Sequence, residues 1–286
     1  MHDSDAPLLE STVGDWLRFE RDEAGPKPTA CGTPLRSSMA MKCERAVALD
    51  VAGVPGTAEL GTTTLIAFRV GTSMHEFCQE AMAHAFPDLE AEALVDLRPM
   101  GFEVSGAADW LFTHGEINGR PRRLVGELKT MGAFAFKLSR NEDAPKIEHI
   151  AQAAMYAIGL EADGVQMCYI SKESGSWKDN IKPGQILEWI YEMDDIVHGQ
   201  SVYDIGMTEL MRLQGIWELI QDGTVPPRHI PGHGFVDSVP RVGSSDKPWN
   251  CRYCDHNEVC STMGVDAVPI WYAPDYVKDN WKPPVV

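Results

Sequence analysis

The chain has 286 residues, 44% of them hydrophobic and 23% charged, which is the balance of an ordinary folded protein able to bury a sizeable core in one large or two modest domains. Its 25 Lys and Arg face 42 Asp and Glu, a formal charge of −17, which argues against a body coated in cations for nucleic acid but not against a local basic groove. No run of 18 apolar residues exists, so no transmembrane helix is expected, and the acidic start MHDSDAPLLESTVGDWLRFERDE lacks the basic-then-apolar order of a signal peptide.

In chain order, an amphipathic segment is expected near residues 8–21, followed by the Pro/Gly-rich loop AGPKPTACGTP. RSSMAMKCERAVALD (36–50) reads as a helix that Ser37 or Ser38 could cap. SMHEFCQEAMAHAF (73–86) reads as another, with Ser73 and Glu76 spaced as a capping box. Residues 92–129 read as strands: EVSGAADWLF (103–112) and LVGELKT (124–130) form a hairpin, with an Asn118-Gly119 turn signal between them. KIEHIAQAAMYAIGL (146–160) is apolar almost all round and is expected as a buried helix. GVQMCYISK (164–172) reads as a strand and about 184–222 as a long helical stretch. The order predicts a mixed α/β core.

LVGELKT carries Glu127 and Lys129 two residues apart, so both point to one face of an otherwise apolar strand. Alone, that is an ordinary ion pair of an amphipathic strand. Phosphodiester hydrolysis, however, needs a divalent ion, and Mg²⁺ takes oxygen ligands from only one or two carboxylates. Asp109 on the preceding strand and Glu127 could meet at one end of the sheet, with the Leu128 carbonyl as a third oxygen. Lys129 would then orient or help deprotonate water, or offset charge in the transition state. His75 lies near a helix start. Gln152 and Tyr156, at i and i+4, share one helix face and need partners if buried.

The ordered set His75, Asp109, Glu127-Leu128-Lys129 and Gln152-x-x-x-Tyr156 resembles the motif series of RecB-type nucleases in the PD-(D/E)xK superfamily. The resemblance implies a restriction-endonuclease-like α/β core, a central mixed sheet flanked by helices. Asp109 and Glu127 would bind Mg²⁺ or Mn²⁺, with His75 as an extra ligand. Lys129 would serve the water, and Gln152 and Tyr156 would support the site. Ala108 stands where the nominal proline of the motif would be.

The chain has seven cysteines, and three of them, Cys251, Cys254 and Cys260, lie in CRYCDHNEVC. Three thiols this close in a reducing compartment point to a metal rather than a disulfide. His256 could complete a zinc site, or a distant cysteine an iron–sulfur cluster. The motif series is similar to the iron–sulfur branch of the RecB family, which includes CRISPR-associated exonucleases of the Cas-four type and the AddB-like subunit. There, one N-terminal cysteine joins three beyond the core on a 4Fe–4S cluster. That resemblance places Cys43 with Cys251, Cys254 and Cys260, and leaves Cys31 as the weaker alternative. Cys78 and Cys168 read as ordinary buried thiols, and His229 and His233 as parts of a plain loop.

The resemblance divides the chain into an N-terminal helical segment with one cluster cysteine (1–70), a RecB-like nuclease core (71–225), and a C-terminal cysteine cluster with a Pro/aromatic tail (226–286). It implies a metal-dependent DNA exonuclease acting on single-stranded or end-resected DNA in phage or prokaryotic recombination, replication or CRISPR adaptation. A helicase or recombinase is a partner to consider and a membrane is not. The expected location is the cytoplasm, the host's if the chain is phage-encoded. The alternative is a non-catalytic zinc- or cluster-binding DNA adaptor docking on a helicase or recombinase. No phosphate-binding loop G-x-x-x-x-G-K-[ST] is present.

Overall fold

The computed structural model describes residues 8–24, 31–56, 61–117, 120–236, 249–252 and 254–284. In chain order the elements are α1 (Leu8–Ala24), β1 (Leu35–Arg36), α2 (Glu44–Val51), α3 (Thr62–Ala85), β2 (Leu89–Asp96), β3 (Val104–Ile117), β4 (Arg120–Met131), α4 (Ala133–Glu142), α5 (Ile147–Gly159), β5 (Gly164–Ser171) and β6 (Ile186–Glu192). The short strands β7 (Ile196–Val197) and β8 (Gln200–Ser201) lead into α6 (Val202–Gln221). Then come β9 (Thr224–Val225), β10 (His229–Ile230), β11 (Gly234–Phe235), α7 (Trp249–Arg252), α8 (Asn257–Ser261), β12 (Val268–Pro269) and α9 (Asp275–Asn280). Among the described residues no helix is long and apolar enough to cross a membrane.

A six-stranded mixed sheet holds the centre. β2, β3 and β4 are antiparallel neighbours, β4 runs parallel to β5, and β6 closes that edge antiparallel to β5. Ser105 of β3 pairs with Asp96 of β2 and with Arg36 of β1, so β1 and β2 flank opposite edges of β3. β4 takes over the edge that β1 leaves, pairing from Ile117↔Arg120 to Trp110↔Gly126. Past that last pair the two strands part, and the next residues are Asp109 and Glu127.

The composition of each strand explains its cover. β5 is buried at seven of its eight positions, as a strand enclosed on both faces should be. On one face lies α5, buried without a break from Ile150 to Ile158, with α6 packed outside it. The other face carries Trp110, Leu128 and Ile170 against Met74, Cys78 and Met82 of α3. The strands approach unusually closely there: a Cβ on Gly126 would lie 1.7 Å from Trp110 Nε1, so only glycine lets the indole cross β4. Trp110 Nε1 in turn donates to Gln166 Oε1 at 2.9 Å.

The hairpin β3–β4, strand β5 and the buried α5 match the sequence reading, and α1 contains the amphipathic segment expected there; Asn118-Gly119 lies outside the described residues. Four expectations are corrected. Residues 36–50 are not one helix: Arg36 belongs to β1, Ser37–Met39 form a 3-10 turn, and helix starts only at Glu44. Met41 takes φ 57°, a left-handed backbone, while its N–H donates to Glu209 Oε1 at 2.8 Å, so a tertiary hydrogen bond overrides local propensity. α3 begins at Thr62 rather than Ser73, with Gly61 as its N-cap, so Ser73 is interior and no capping box forms. The 24-residue helix runs without a break across residues 70 and 71. Residues 184–222 are not all helix. Ile186–Glu192 alternate in exposure and pair with β5, and α6 starts at Val202 under a Ser201 cap whose side chain accepts from Asp204 N at 3.0 Å. Of His229 and His233, read as parts of a plain loop, His229 pairs with Phe235 in a minimal hairpin of β10 and β11 and His233 lies in its turn.

Candidate active site

The parting of β3 and β4 brings the predicted acids and lysine together. Asp109 Oδ2 accepts from the Leu128 N–H at 2.6 Å, and Asp109 Oδ1 lies 2.9 Å from His75 Nδ1 on α3. Glu127 is 2% exposed, and its Oε1 lies 2.5 Å from Lys129 Nζ. Lys129 Nζ also donates to Gln152 Oε1 at 3.0 Å, and Gln152 Nε2 to the Tyr156 hydroxyl at 2.9 Å. The sequence required a partner for the buried Gln152, and the lysine is one. Tyr156 needs room of its own: a Cβ on Gly106 would fall 2.5 Å from Tyr156 Cε1. Two strands and two helices thus contribute to two adjoining polar sets, His75–Asp109–Leu128 and Glu127–Lys129–Gln152–Tyr156.

Glu127 and Tyr156 are buried, while His75 and Lys129 stay partly open to solvent. Burial pushes the Glu127 carboxyl up to about 7, against the pull of the Lys129 ammonium. Burial alone would lower Lys129, but the Glu127 carboxylate outweighs it and holds the ammonium above its ordinary range. The hydrogen bond to Asp109 raises His75. Burial drives Tyr156 well above a normal phenol, so it stays a neutral hydroxyl.

Several supports went unread in the sequence. His149 lies one turn before Gln152 on α5, with Nδ1 2.6 Å from the Tyr169 hydroxyl, which accepts from the Lys146 N–H at 2.8 Å. Tyr169 is the register partner of Lys129 on β5. Burial, then the charges of Lys129 and Lys146, pull His149 down to about 3, so it is neutral at working pH. Gln79 of α3 donates to the Asp109 carbonyl at 3.2 Å and to Glu92 Oε1 at 2.5 Å. The i, i+3, i+7 spacing of His149, Gln152 and Tyr156 was the available signal.

The second constellation is a cavity of about 250 Å³ lined by Cys43, Cys251, Cys254 and Cys260. Cys31 lies elsewhere, its thiol donating to the Val95 carbonyl at 3.7 Å. Cys78 of α3 and Cys168 of β5, both half-buried, pack around Trp110, Leu128 and Ile170. Burial raises the Cys43 thiol and lifts Cys251 to about 11 and Cys254 to about 12. Two arginines close the cavity. Arg45 is fully buried, and its five N–H donors go to Cys260 Sγ at 3.8 Å and to the carbonyls of Pro226, Gly264, Val265 and Asp266. Arg228 Nε donates to Cys260 Sγ at 3.3 Å. His256 is 2% exposed; Nε2 lies 2.7 Å from Asp50 Oδ1, while Nδ1 has no partner among the described residues. His229 bonds Glu44 Oε1 at 2.8 Å through Nδ1. Among the described residues, no three His, Cys, Asp or Glu side chains stand close enough to grip a metal ion as they lie.

No family model matches the sequence, and no curated protein sequence matches it either. Among solved structures the chain is similar to SSO0001, at 14% identity and TM-score 0.47 over 90% of this chain and 97% of that one. It is also similar to an alkaline exonuclease, LHK-Exo, from Laribacter hongkongensis, at 12% identity and TM-score 0.36 over 65% of this chain and 94% of that one. Likeness this distant says nothing of activity. What the chain's own geometry defines is a mixed α/β protein whose sheet splits to present two carboxylates and a lysine.

Proposed function

We propose that the chain is a metal-dependent deoxyribonuclease, an exonuclease acting on single-stranded DNA or free DNA ends. The observation that carries this reading is the convergence of Asp109, Glu127 and Lys129 at the split between β3 and β4, continued by Gln152 and Tyr156. Asp109, Glu127 and the Leu128 carbonyl would hold Mg²⁺ or Mn²⁺ as oxygen donors suited to a hard ion, with the His75 imidazole as an extra ligand. Such an ion, when bound, neutralises phosphate charge and makes water more acidic. The protein's part is positioning. Asp109 is fixed by Leu128 and His75. Lys129, beside Glu127, would orient or help deprotonate the attacking water, or offset charge on the phosphate. Gln152 and Tyr156 hold its ammonium in place. Cleavage of end-labelled DNA with and without Mg²⁺ or Mn²⁺ tests the reading; absence of cleavage under both ions would favour a non-catalytic adaptor.

We further propose that the cysteine cavity would hold a 4Fe–4S cluster on Cys43, Cys251, Cys254 and Cys260. A water needs only about 10–15 Å³, so the cavity of about 250 Å³ admits something far larger. The Arg45 cation is fully buried with carbonyls and a sulfur as its partners, and an anionic thiolate set would offset that charge. The group would join α2 to the C-terminal segment. One observation favours a zinc site instead: His256 is backed by Asp50, with its other nitrogen buried and open, the arrangement of a carboxylate-supported ligand. Iron, sulfide and zinc content of anaerobically purified protein separates the two.

A further inference from the structure

We propose that α4 and the loop 172–185 form a track for a single nucleic-acid strand leading to the Asp109–Glu127–Lys129 site. The proposal rests on the nuclease reading and adds the surface that the substrate follows.

The track begins at the site. β4 ends two residues beyond Lys129, and the loop leaves β5 at the same level, with Ser171 paired to Met131 and the Lys172 N–H donating to the Met131 carbonyl at 2.9 Å. The loop then lies along α4 and is pinned to it twice. Glu173 Oε2 accepts from the Ala133 N–H at 3.1 Å. Farther on, Asp179 Oδ1 meets Lys137 Nζ at 2.6 Å and the Asp179 carbonyl accepts from Arg140 Nη2 at 3.0 Å. Ile181, 4% exposed, anchors the loop beneath.

The charge on this face is opposite in sign to that of the whole chain, and two exposed aromatic rings share the face with it. In a chain of net −17, α4 and residues 172–185 carry Lys137, Arg140, Lys172, Lys178 and Lys182 against Glu142, Glu173 and Asp179. Asp179 and Lys137 pair with each other, which leaves Arg140, Lys172, Lys178 and Lys182 against Glu142 and Glu173. A polyanion repelled elsewhere is steered to such a sector. Two aromatic rings stand out in it: Trp177 is 86% exposed and Phe134, in the first turn of α4, 75%. Lys178 Nζ lies 5.5 Å from the Trp177 ring centre. Beside them Asn180, Lys182, Pro183, Gly184 and Gln185 line a shallow polar hollow. Exposed rings alternating with lysines suit unpaired bases and their phosphates, because every base has a face to stack.

The test is binding of a fluorescent oligo-dT strand by the full chain in a Lys129→Ala background, over a range of salt. Trp177→Ala should weaken binding roughly 5- to 150-fold, the loss of one stacked base. Lys178→Glu with Lys182→Glu should weaken it further and make the dependence of log affinity on log salt shallower by about 1.4, two phosphates' worth for a single strand. All three side chains are exposed, so folding should be unchanged by circular dichroism. Affinity within about twofold of the parent in both variants would overturn the track, as would failure of the parent to bind at all. A change of oligomeric state on Trp177→Ala with unchanged DNA affinity would reassign the surface to self-association. Cleavage by the otherwise wild-type chain carrying Trp177→Ala, alongside unchanged affinity, would leave the nuclease reading standing and this one fallen.

Discussion

Asp109 Oδ2 accepts a 2.6 Å hydrogen bond from the Leu128 N–H, so the acid of one strand is tied to the middle of Glu127-Leu128-Lys129 on the next. The bond forms at the point where β3 and β4 have stopped pairing, and there a side chain takes the place of the backbone ladder. Asp109→Ala removes the acceptor and should cost about 1–3 kcal/mol, the penalty for stranding a backbone donor. Asp109→Asn keeps an oxygen acceptor and should cost less, while losing the charge a metal ion requires. Urea denaturation with divalent ions removed checks the ranking; equal losses in the two variants would show that the bond contributes nothing.

Gln152 bridges Lys129 and Tyr156 at 3.0 and 2.9 Å. Gln152→Ala should therefore reduce cleavage on the order of 10- to 100-fold, the usual effect of removing a support one step behind the reacting groups. Tyr156→Phe leaves the Gln152 amide without its partner and should have a smaller effect in the same direction. Steady-state rates on a labelled strand decide, and full activity in Gln152→Ala would show that α5 takes no part in the chemistry.

Much of this site was legible because its signals are local. Glu127 and Lys129 sit at strand spacing, Gln152 and Tyr156 at helix spacing, and the order of the set carried the resemblance. The misses arise where distant residues decide. Met41 is held by Glu209, 168 positions away, and nothing in RSSMAMKCERAVALD announces it. The α3 start was obscured by Gly61 and three threonines, poor helix formers that tertiary packing overrides. Ile186–Glu192 alternates Leu187, Trp189 and Tyr191 with Ile186, Glu188 and Ile190, a strand pattern misread as helix. Arg45 and Arg228 look like surface cations in sequence; only the fold, through hydrogen bonds to the carbonyls of Gly264 and Met263 respectively, shows them buried beside Cys260.

Glu127 gives the protein a specific pH dependence. Its folded pKa, about 7, lies above the ordinary 4.5, so the folded state binds the extra proton between those values. Its contribution is present below pH 4.5 and is lost as pH rises toward 7. The stability of the wild type relative to Glu127→Gln should therefore fall across that window, by at most about 3 kcal/mol at 1.36 kcal/mol per pKa unit, and level off above it. Chemical denaturation with divalent ions removed measures the difference. A difference that stays flat, or grows with pH, would mean that the carboxylate is already ionised in the folded state.

Cys43 and Cys260 line one cavity across 217 positions of chain. Cys43→Ser should lower stability and metal content about as much as Cys251→Ser, Cys254→Ser or Cys260→Ser, because a group bound only by the folded chain adds its binding energy to folding. Cys31→Ser, beside Val95, should do little. Anaerobic protein should hold about four irons per chain, as a four-cysteine cubane does. One zinc per chain with an innocuous Cys43→Ser would assign the cavity to Cys251, Cys254, Cys260 and His256.

If Asp109, Glu127 and Lys129 act as one hydrolytic unit, a cleavage assay reveals it without intermediaries. Strands labelled at either end, single- and double-stranded, are incubated with Mg²⁺ or Mn²⁺ and with the wild type or each alanine variant. The expected result is ion-dependent release of nucleotides from DNA ends by the wild type and its near-complete loss in Asp109→Ala, Glu127→Ala and Lys129→Ala alike, since deleting any member of a concerted set costs nearly as much as deleting all. Wild-type rates in folded Lys129→Ala, or a wild type inert with both ions on every strand, would contradict it.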